Sequence, residues 1–188
     1  MGLEEARNQI DSVDEEIRPL LMQRMDSSKE VAKAKFASGD RRIYRADREQ
    51  EILERVGKEV PQDRRAEYLA VVRKVMETSR MYQYGLFFDW DPSVFDSLVE
   101  GVSLPAHSEK VSLVLTRPNV PNAMSSILSM VGDYGYNMER MELLKEDQEH
   151  SSVTFKLMIL GDLSKVNMKK LMYQLSMESR NFKILSVE

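Results

Sequence analysis

Residues 3–36 read LEEARNQIDSVDEEIRPLLMQRMDSSKEVAKAKF, and the fold turns on that stretch. Leu3, Ala6, Ile10, Val13, Ile17, Leu20, Arg24, Ser27, Val31 and Ala34 recur in alternating steps of three and four. This spacing predicts one long amphipathic helix whose seam turns inward. Arg24 stands in that seam where packing would call for leucine. Lys35 follows after nearly three turns, on almost the same face and about 16 Å further along. A guanidinium on an apolar stripe is costly to bury unless an anion pairs with it. Two such cations point to a pocket for an anion, although a snorkelling arginine or a structural ion pair would leave the same trace.

Working outward, residues 1–88 keep a helical pattern. Pro19 should kink or curve the first helix, because proline removes a backbone donor and crowds the preceding turn. Ser38-Gly39-Asp40 ends it, and the basic loop Arg41-Arg42-Ile43-Tyr44-Arg45 leads into a short second helix. Asp47 is its expected N-cap. Ile52, Leu53 and Val56 form the buried side of that helix, and Gly57 closes it. Past Pro61 a third helix carries Leu69, Val72, Met76, Ser79, Gln83 and Leu86 along its seam. One helix of roughly 30 residues and two short ones make a thin bundle, so the long stripe calls for a partner chain, most simply a second copy.

Residues 89–109 are punctuated by Asp91-Pro92, Gly101, Pro105 and Ser108, and read as a linker with a helical turn or two. From residue 110 to 188 the pattern becomes βαββαβ. Strands are expected over 111–116, 138–144, 152–160 and 182–187, with helices over 121–131 and from Gly161-Asp162-Leu163-Ser164 to about Met177. That order describes a split-βαβ, ferredoxin-like sheet with two helices on one face. The fold class is therefore multidomain: an all-α three-helix domain followed by an α+β domain.

Composition narrows the functions. The 188 residues carry a formal net charge of −4, which gives no global field for nucleic acid. With no cysteine, thiolate catalysis, disulfides and cysteine-based zinc sites are excluded. His107 and His150, the two histidines, lie far apart in polar surroundings, so no metal centre is expected. No apolar run reaches the length of a membrane span, and the N-terminus is too polar for a secretory signal. A cytoplasmic protein with no cofactor is expected.

The third helix repeats the oddity of the first. Ser79 and Gln83 interrupt its seam at i, i+4 and so point the same way. Such a pair serves either an interhelical hydrogen bond or a ligand. Arg48 and Glu49 open the second helix beside Arg45, and an arginine there is poorly placed for the helix dipole. Arg24, Lys35 and Arg48 supply positive charge, Ser79 and Gln83 neutral donors, and Glu49 an acceptor. The set suits a compact dianion bearing a hydroxyl group. It contains no nucleophile–base pair and no metal-ligand set.

Arg7-x-x-Ile10-x-x-Val13-Asp14, Arg24-Met25, Val31-Ala32-x-x-Lys35, Ile43-Tyr44-x-x-Asp47-Arg48-Glu49 and Ser79-x-x-x-Gln83 resemble the all-helical chorismate mutase family over roughly residues 3–86. The resemblance implies an intertwined homodimer with two active sites, each completed by an arginine from the partner's long helix. Arg7 matches that donated residue. It stands seventeen residues before Arg24, about 260° around the helix, and so faces elsewhere. By the same resemblance Arg7, Arg24 and Arg48 hold the two carboxylates of chorismate, with Ser79 assisting. Glu49 accepts from the ring hydroxyl, while Lys35 and Gln83 donate to the ether oxygen of the breaking bond. Arg45 stands where some members have aspartate, a position that can act through its backbone N–H. The implied reaction is the rearrangement of chorismate to prephenate. The alternatives are an isochorismate pyruvate-lyase, which shares the helical fold, and a non-catalytic regulatory subunit of an aromatic-pathway enzyme.

The second half resembles an ACT domain, a small regulatory module that often binds amino acids. The likeness rests on the βαββαβ order, on Asn119-Val120-Pro121-Asn122-Ala123 before its first helix and on Tyr134-Gly135-Tyr136-Asn137-Met138 after it. It implies an amino-acid effector or a higher oligomer. Phenylalanine-sensing members have glycine where Asn122 stands, and Glu-Ser-Arg-Pro where this chain has Met141-Glu142-Leu143-Leu144. Phenylalanine is therefore not expected as the effector. Residues 89–109 cannot hold the dehydratase domain found between mutase and ACT domains in bifunctional relatives, so no dehydratase activity is expected.

Overall fold

The computed structural model describes residues 1–188. The chain divides into two compact units, Met1–Leu86 and Phe87–Glu188.

The first unit is helical. Helix α1 runs unbroken from Leu3 to Ala37, through Pro19. At 1.5 Å per residue it is about 52 Å long. Glu4 and Glu5 in its first turn and Lys35 in its last turn complement the helix dipole. Its expected inward stripe is largely uncovered by its own chain. Only Ser28 and Ala32 are buried, whereas Leu3, Ile10, Val13, Ile17 and Leu20 are exposed. The other helices of the unit meet α1 in its C-terminal half, at Arg24, Met25, Ser28, Val31 and Lys35.

Helix α2, Ala46–Gly57, begins one residue before the expected cap. Arg45, in extended backbone, is the N-cap residue, and Asp47 lies inside the first turn. The Asp47 carboxylate instead receives Arg45 Nη2 at 2.9 Å and Nε at 3.2 Å. Those bonds hold its pKa down at about 2. A 3₁₀ turn over Gln62–Arg64 then leads into α3, Arg65–Trp90. The fully buried Tyr84 on α3 anchors the basic loop, its Oη accepting from the Tyr44 N–H at 3.1 Å.

The second unit holds a four-stranded sheet in the order β2-β3-β1-β4, with every neighbouring pair antiparallel. The strands are β1 (Lys110–Pro118), β2 (Asn137–Asp147), β3 (Ser152–Leu160) and β4 (Arg180–Val187). Helices α4 (Ala123–Asp133) and α5 (Val166–Glu178) complete it. Along β3 the alternate residues Val153, Phe155, Leu157 and Ile159 are buried, as period-two patterning requires. Ile127, Met130 and Val131 from α4, and Met168, Leu171, Met172 and Leu175 from α5, add their side chains to the core. Gly161, at φ +147°, follows β3; a side chain there would be strained, and its Cβ, 2.6 Å from Met168 Cε and 2.8 Å from the Tyr136 ring, would push both aside.

Two expectations change here. Helix α5 starts at Val166 rather than Gly161, because Asp162 forms a turn in which its Oδ1 accepts from the Ser164 N–H at 2.8 Å. The stretch read as a linker is largely structured. Pro92–Leu98 forms a 3₁₀ helix packed against α5, with Phe95 buried. Lys170 Nζ meets Asp89 Oδ2 at 2.7 Å, and the Phe88 ring lies 6.5 Å from that of Tyr173. Apolar rings in this stretch made it part of a core, which its turn residues concealed.

A buried polar network joins β1, α4 and α5. Arg117 donates to the Glu178 carbonyl oxygen and, at 3.1 Å, to Ser126 Oγ. Gln174 Nε2 donates to Glu178 Oε1 at 2.9 Å and Tyr134 Oη to Gln174 Oε1 at 3.0 Å. Burial, then the neighbouring Glu178 charge, pushes the Tyr134 hydroxyl pKa well up.

Candidate functional site

A cavity of about 220 Å³ opens in the helical unit. Helix α1 contributes Arg24 and Lys35, the loop and α2 contribute Arg45, Arg48 and Glu49, and α3 contributes Ser79 and Gln83. Val31, Ile43, Ile52 and Met76 line the same space with apolar surface. Seven of the eight residues singled out from sequence therefore meet at one place. The eighth, Arg7, is exposed and lies outside the cavity, about 25 Å from Arg24 along α1.

Helical spacing explains the convergence. Arg24 and Lys35 share a face of α1, and Ser79 and Gln83 share a face of α3. Arg24 Nη1 donates to Ser79 Oγ and, at 3.4 Å, to the Val75 carbonyl. Partial burial lowers the Arg24 pKa, yet an arginine remains charged at neutral pH. Lys35 Nζ donates to the Arg42 carbonyl at 2.5 Å and to Asp40 Oδ2 at 3.2 Å, which folds the basic loop back over the end of α1. Gln83 is buried, and its Nε2 donates to the Ser79 carbonyl at 3.2 Å. An ammonium has three donors and a primary amide two, so Lys35 and Gln83 each keep donor capacity beyond the bonds described.

Sequence reasoning missed Arg80 and Ser28. Both are buried and both line the cavity. Arg80 Nη1 reaches Glu49 Oε1 at 2.5 Å, and its guanidinium lies 4.7 Å from the centre of the Tyr44 ring. The signal was present in the sequence. Arg80 falls on a stripe with Met76, Tyr84 and Phe87, a cation among buried apolar positions, as Arg24 is on α1. Ser28 gave no such signal, because a small residue one turn from Arg24 passes for packing.

The cavity thus presents an excess of fixed positive charge, oriented neutral donors and one carboxylate, on a partly apolar floor. It can bind a small, multiply charged anion and orient it through several contacts. The family described as chorismate mutase type II matches residues 6–84. The helical unit is a chorismate mutase type II domain. No curated protein matches the chain. A solved structure titled "GqqA- a novel type of quorum quenching acylases" is 24% identical, with a TM-score of 0.41. The match covers 45% of this chain and 45% of that one, so the chain spans under half the length of that structure. In the sequence, the chorismate mutase type II domain is followed by the α+β unit with its four-stranded antiparallel sheet. No helix in either unit is long and apolar enough to cross a membrane.

Proposed function

We propose that this chain is a homodimeric chorismate mutase that converts chorismate to prephenate, with an ACT-like C-terminal domain for regulation or assembly. The observation that carries the reading is the gathering of Arg24, Lys35, Arg48, Glu49, Ser79 and Gln83 around one cavity in a domain of this family.

The roles follow from charge and donor count. Arg24 and Arg48 bind the carboxylates of chorismate, with Arg7 supplied by the second copy and Ser79 orienting Arg24. Glu49 accepts from the ring hydroxyl. Lys35 and Gln83, on α1 and α3, donate to the ether oxygen as its bond to the ring breaks. Arg45 keeps its side chain on Asp47 and acts through its backbone. The rearrangement is pericyclic and requires no acid, base or cofactor from the protein. Rate enhancement comes from holding the chair-like diaxial conformer and stabilising negative charge on the ether oxygen. Fixed donors do this without reorganisation during the reaction.

The exposed stripe of α1 supports the dimer. Leu3, Ile10, Val13 and Leu20 lie more than half exposed on one regular face, the pattern of a helix covered by another chain. In the second unit, the strand order with two helices supports a ferredoxin-like, ACT-like reading. Asn122 adopts φ +71°, the left-handed backbone natural to the glycine it replaces, so the loop keeps its course. Leu143 and Leu144 are exposed on the edge strand β2, where phenylalanine-sensing members carry arginine and proline.

The test is a purified-protein assay with chorismate and, separately, isochorismate. Prephenate formation from the first is expected. Release of pyruvate from isochorismate as the dominant activity would favour the lyase, and inertness toward both would favour a regulatory subunit.

A further inference from the structure

Arg80 is a buried cation in contact with the one carboxylate of the cavity. Its surroundings fix it from two sides. Nη1 lies 2.5 Å from Glu49 Oε1, and the guanidinium carbon sits over the ring of Tyr44, 4.7 Å from its centre. Tyr44 is in turn tied through its N–H to Tyr84, which is fully buried on α3. A planar guanidinium suits this position because it can bond with its edge while its face lies on a ring.

Glu49 needs such an anchor. It stands on α2 among Arg45 and Arg48, with Arg24 and Lys35 on the facing helix of the cavity. A loose carboxylate there would swing onto one of those cations and cancel charge required for an anionic ligand. Bonded to a buried arginine, it stays in place. A carboxylate has about four lone-pair sites, so one bonded to a guanidinium can also accept from a hydroxyl.

We infer that Arg80 is a positioning residue for the proposed mutase reaction: it holds Glu49 ready for the substrate hydroxyl and off the carboxylate-binding arginines. The role rests on the mutase reading above. It places Arg80 behind Glu49, acting through it.

The experiment is a double-mutant cycle on kcat and KM for chorismate, using the full chain with Arg80→Met, Arg80→Lys, Glu49→Gln and the Arg80→Met/Glu49→Gln pair. Arg80→Met should lower kcat/KM about 10–100-fold, the usual cost of losing a group that orients a functional one from behind. In the Glu49→Gln background the same change should cost less than about 3-fold, because the group it positions is already gone. Arg80→Lys should recover part of the loss, since it returns the charge without the planar stack. Equal losses in both backgrounds, or a fully active Arg80→Met protein, overturn the proposal. Should Arg80→Met not fold by circular dichroism, Arg80→Lys and its pair with Glu49→Gln complete the same cycle. A wild-type chain without mutase turnover sinks the mutase reading and this role with it. Wild-type turnover with an additive cycle sinks the role of Arg80 alone.

Discussion

In the sheet unit, Val153, Phe155, Leu157 and Ile159 alternate along β3 and are all buried by their own chain. In the helical unit, Leu3, Ile10, Val13 and Leu20 recur just as regularly along α1, and the same chain leaves them exposed. Periodicity therefore identifies an apolar face in both units, but what covers that face is a separate question. A strand in the middle of a sheet is flanked by neighbours and roofed by helices joined to it by short loops. A helix of about 52 Å meets the other helices of its unit around Arg24 to Lys35, and its apolar stripe continues well beyond them.

The polar groups divide in the same way. In the sheet unit Arg117 and Glu178 face each other inside a network with Ser126, Gln174 and Tyr134, and that network knits α4 and α5 to β1. In the helical unit the charged groups surround a cavity. One unit uses its buried charge to hold itself together, and the other gathers its charge, the buried Arg80 included, around a cavity open to a ligand.

The sharpest way to break this contrast is to charge the exposed stripe. In the proposed homodimeric mutase, Ile10→Glu combined with Ile17→Glu should convert the dimer to a monomer in light scattering and abolish turnover, while the sheet unit keeps its circular dichroism. A variant that stays dimeric, or stays active as a monomer, would show that the stripe is not the interface.

Next in size is Glu178→Ala, which leaves the Arg117 guanidinium buried without its carboxylate. Breaking a buried pair from one side costs about 3–5 kcal/mol, so the urea midpoint of the sheet unit should fall steeply. A loss below 1 kcal/mol would mean that Arg117 reaches water on relaxation. Turnover at low temperature should be nearly unaffected, because the network lies outside the helical unit.

Gln83→Glu examines the cavity itself. Its amide donor is neutral and does not titrate, whereas a carboxyl at that position donates only when protonated. Burial and the substrate's carboxylates favour the protonated form, with Lys35 opposing them. The variant should be about 10²–10³-fold slow at pH 8, and should regain activity as the pH falls toward 5 while wild type changes little. Parallel pH profiles for the two proteins would make Gln83 a packing residue.

The smallest effect is expected at Asn122. Its left-handed backbone disfavours a β-branched side chain, so Asn122→Val should cost about 1–2 kcal/mol. Asn122→Gly should stay within about 1 kcal/mol of wild type. A thermal melt of each variant decides it, and equal melting temperatures would show that the loop relaxes freely.

Much of the site was legible because helices impose a fixed angle between residues. Arg24 with Lys35, and Ser79 with Gln83, could be placed on common faces from spacing alone. Arg80 carries the same mark, but on a second stripe of α3 beside the one that Met76, Ser79 and Gln83 define. Asp47 lies in the first turn rather than at the cap, and an aspartate before an apolar run fits both places equally well. The folded role of residues 92–98 was hidden by the proline and glycine around them, since turn residues give no indication of what the rings between them pack against.

The sequence by itself determined the elements, the apolar faces and the residue types able to hold an anion. Each of these depends on local geometry, the 100° step of a helix or the two-residue period of a strand. Tertiary structure alone decided that three separate segments converge on one cavity, that Arg80 locks onto Glu49, and that Arg117 and Glu178 pair in the core. Those contacts join residues 31 and 61 positions apart. No local period specifies partners at such a distance, since which groups meet depends on how whole elements pack once their apolar faces are buried.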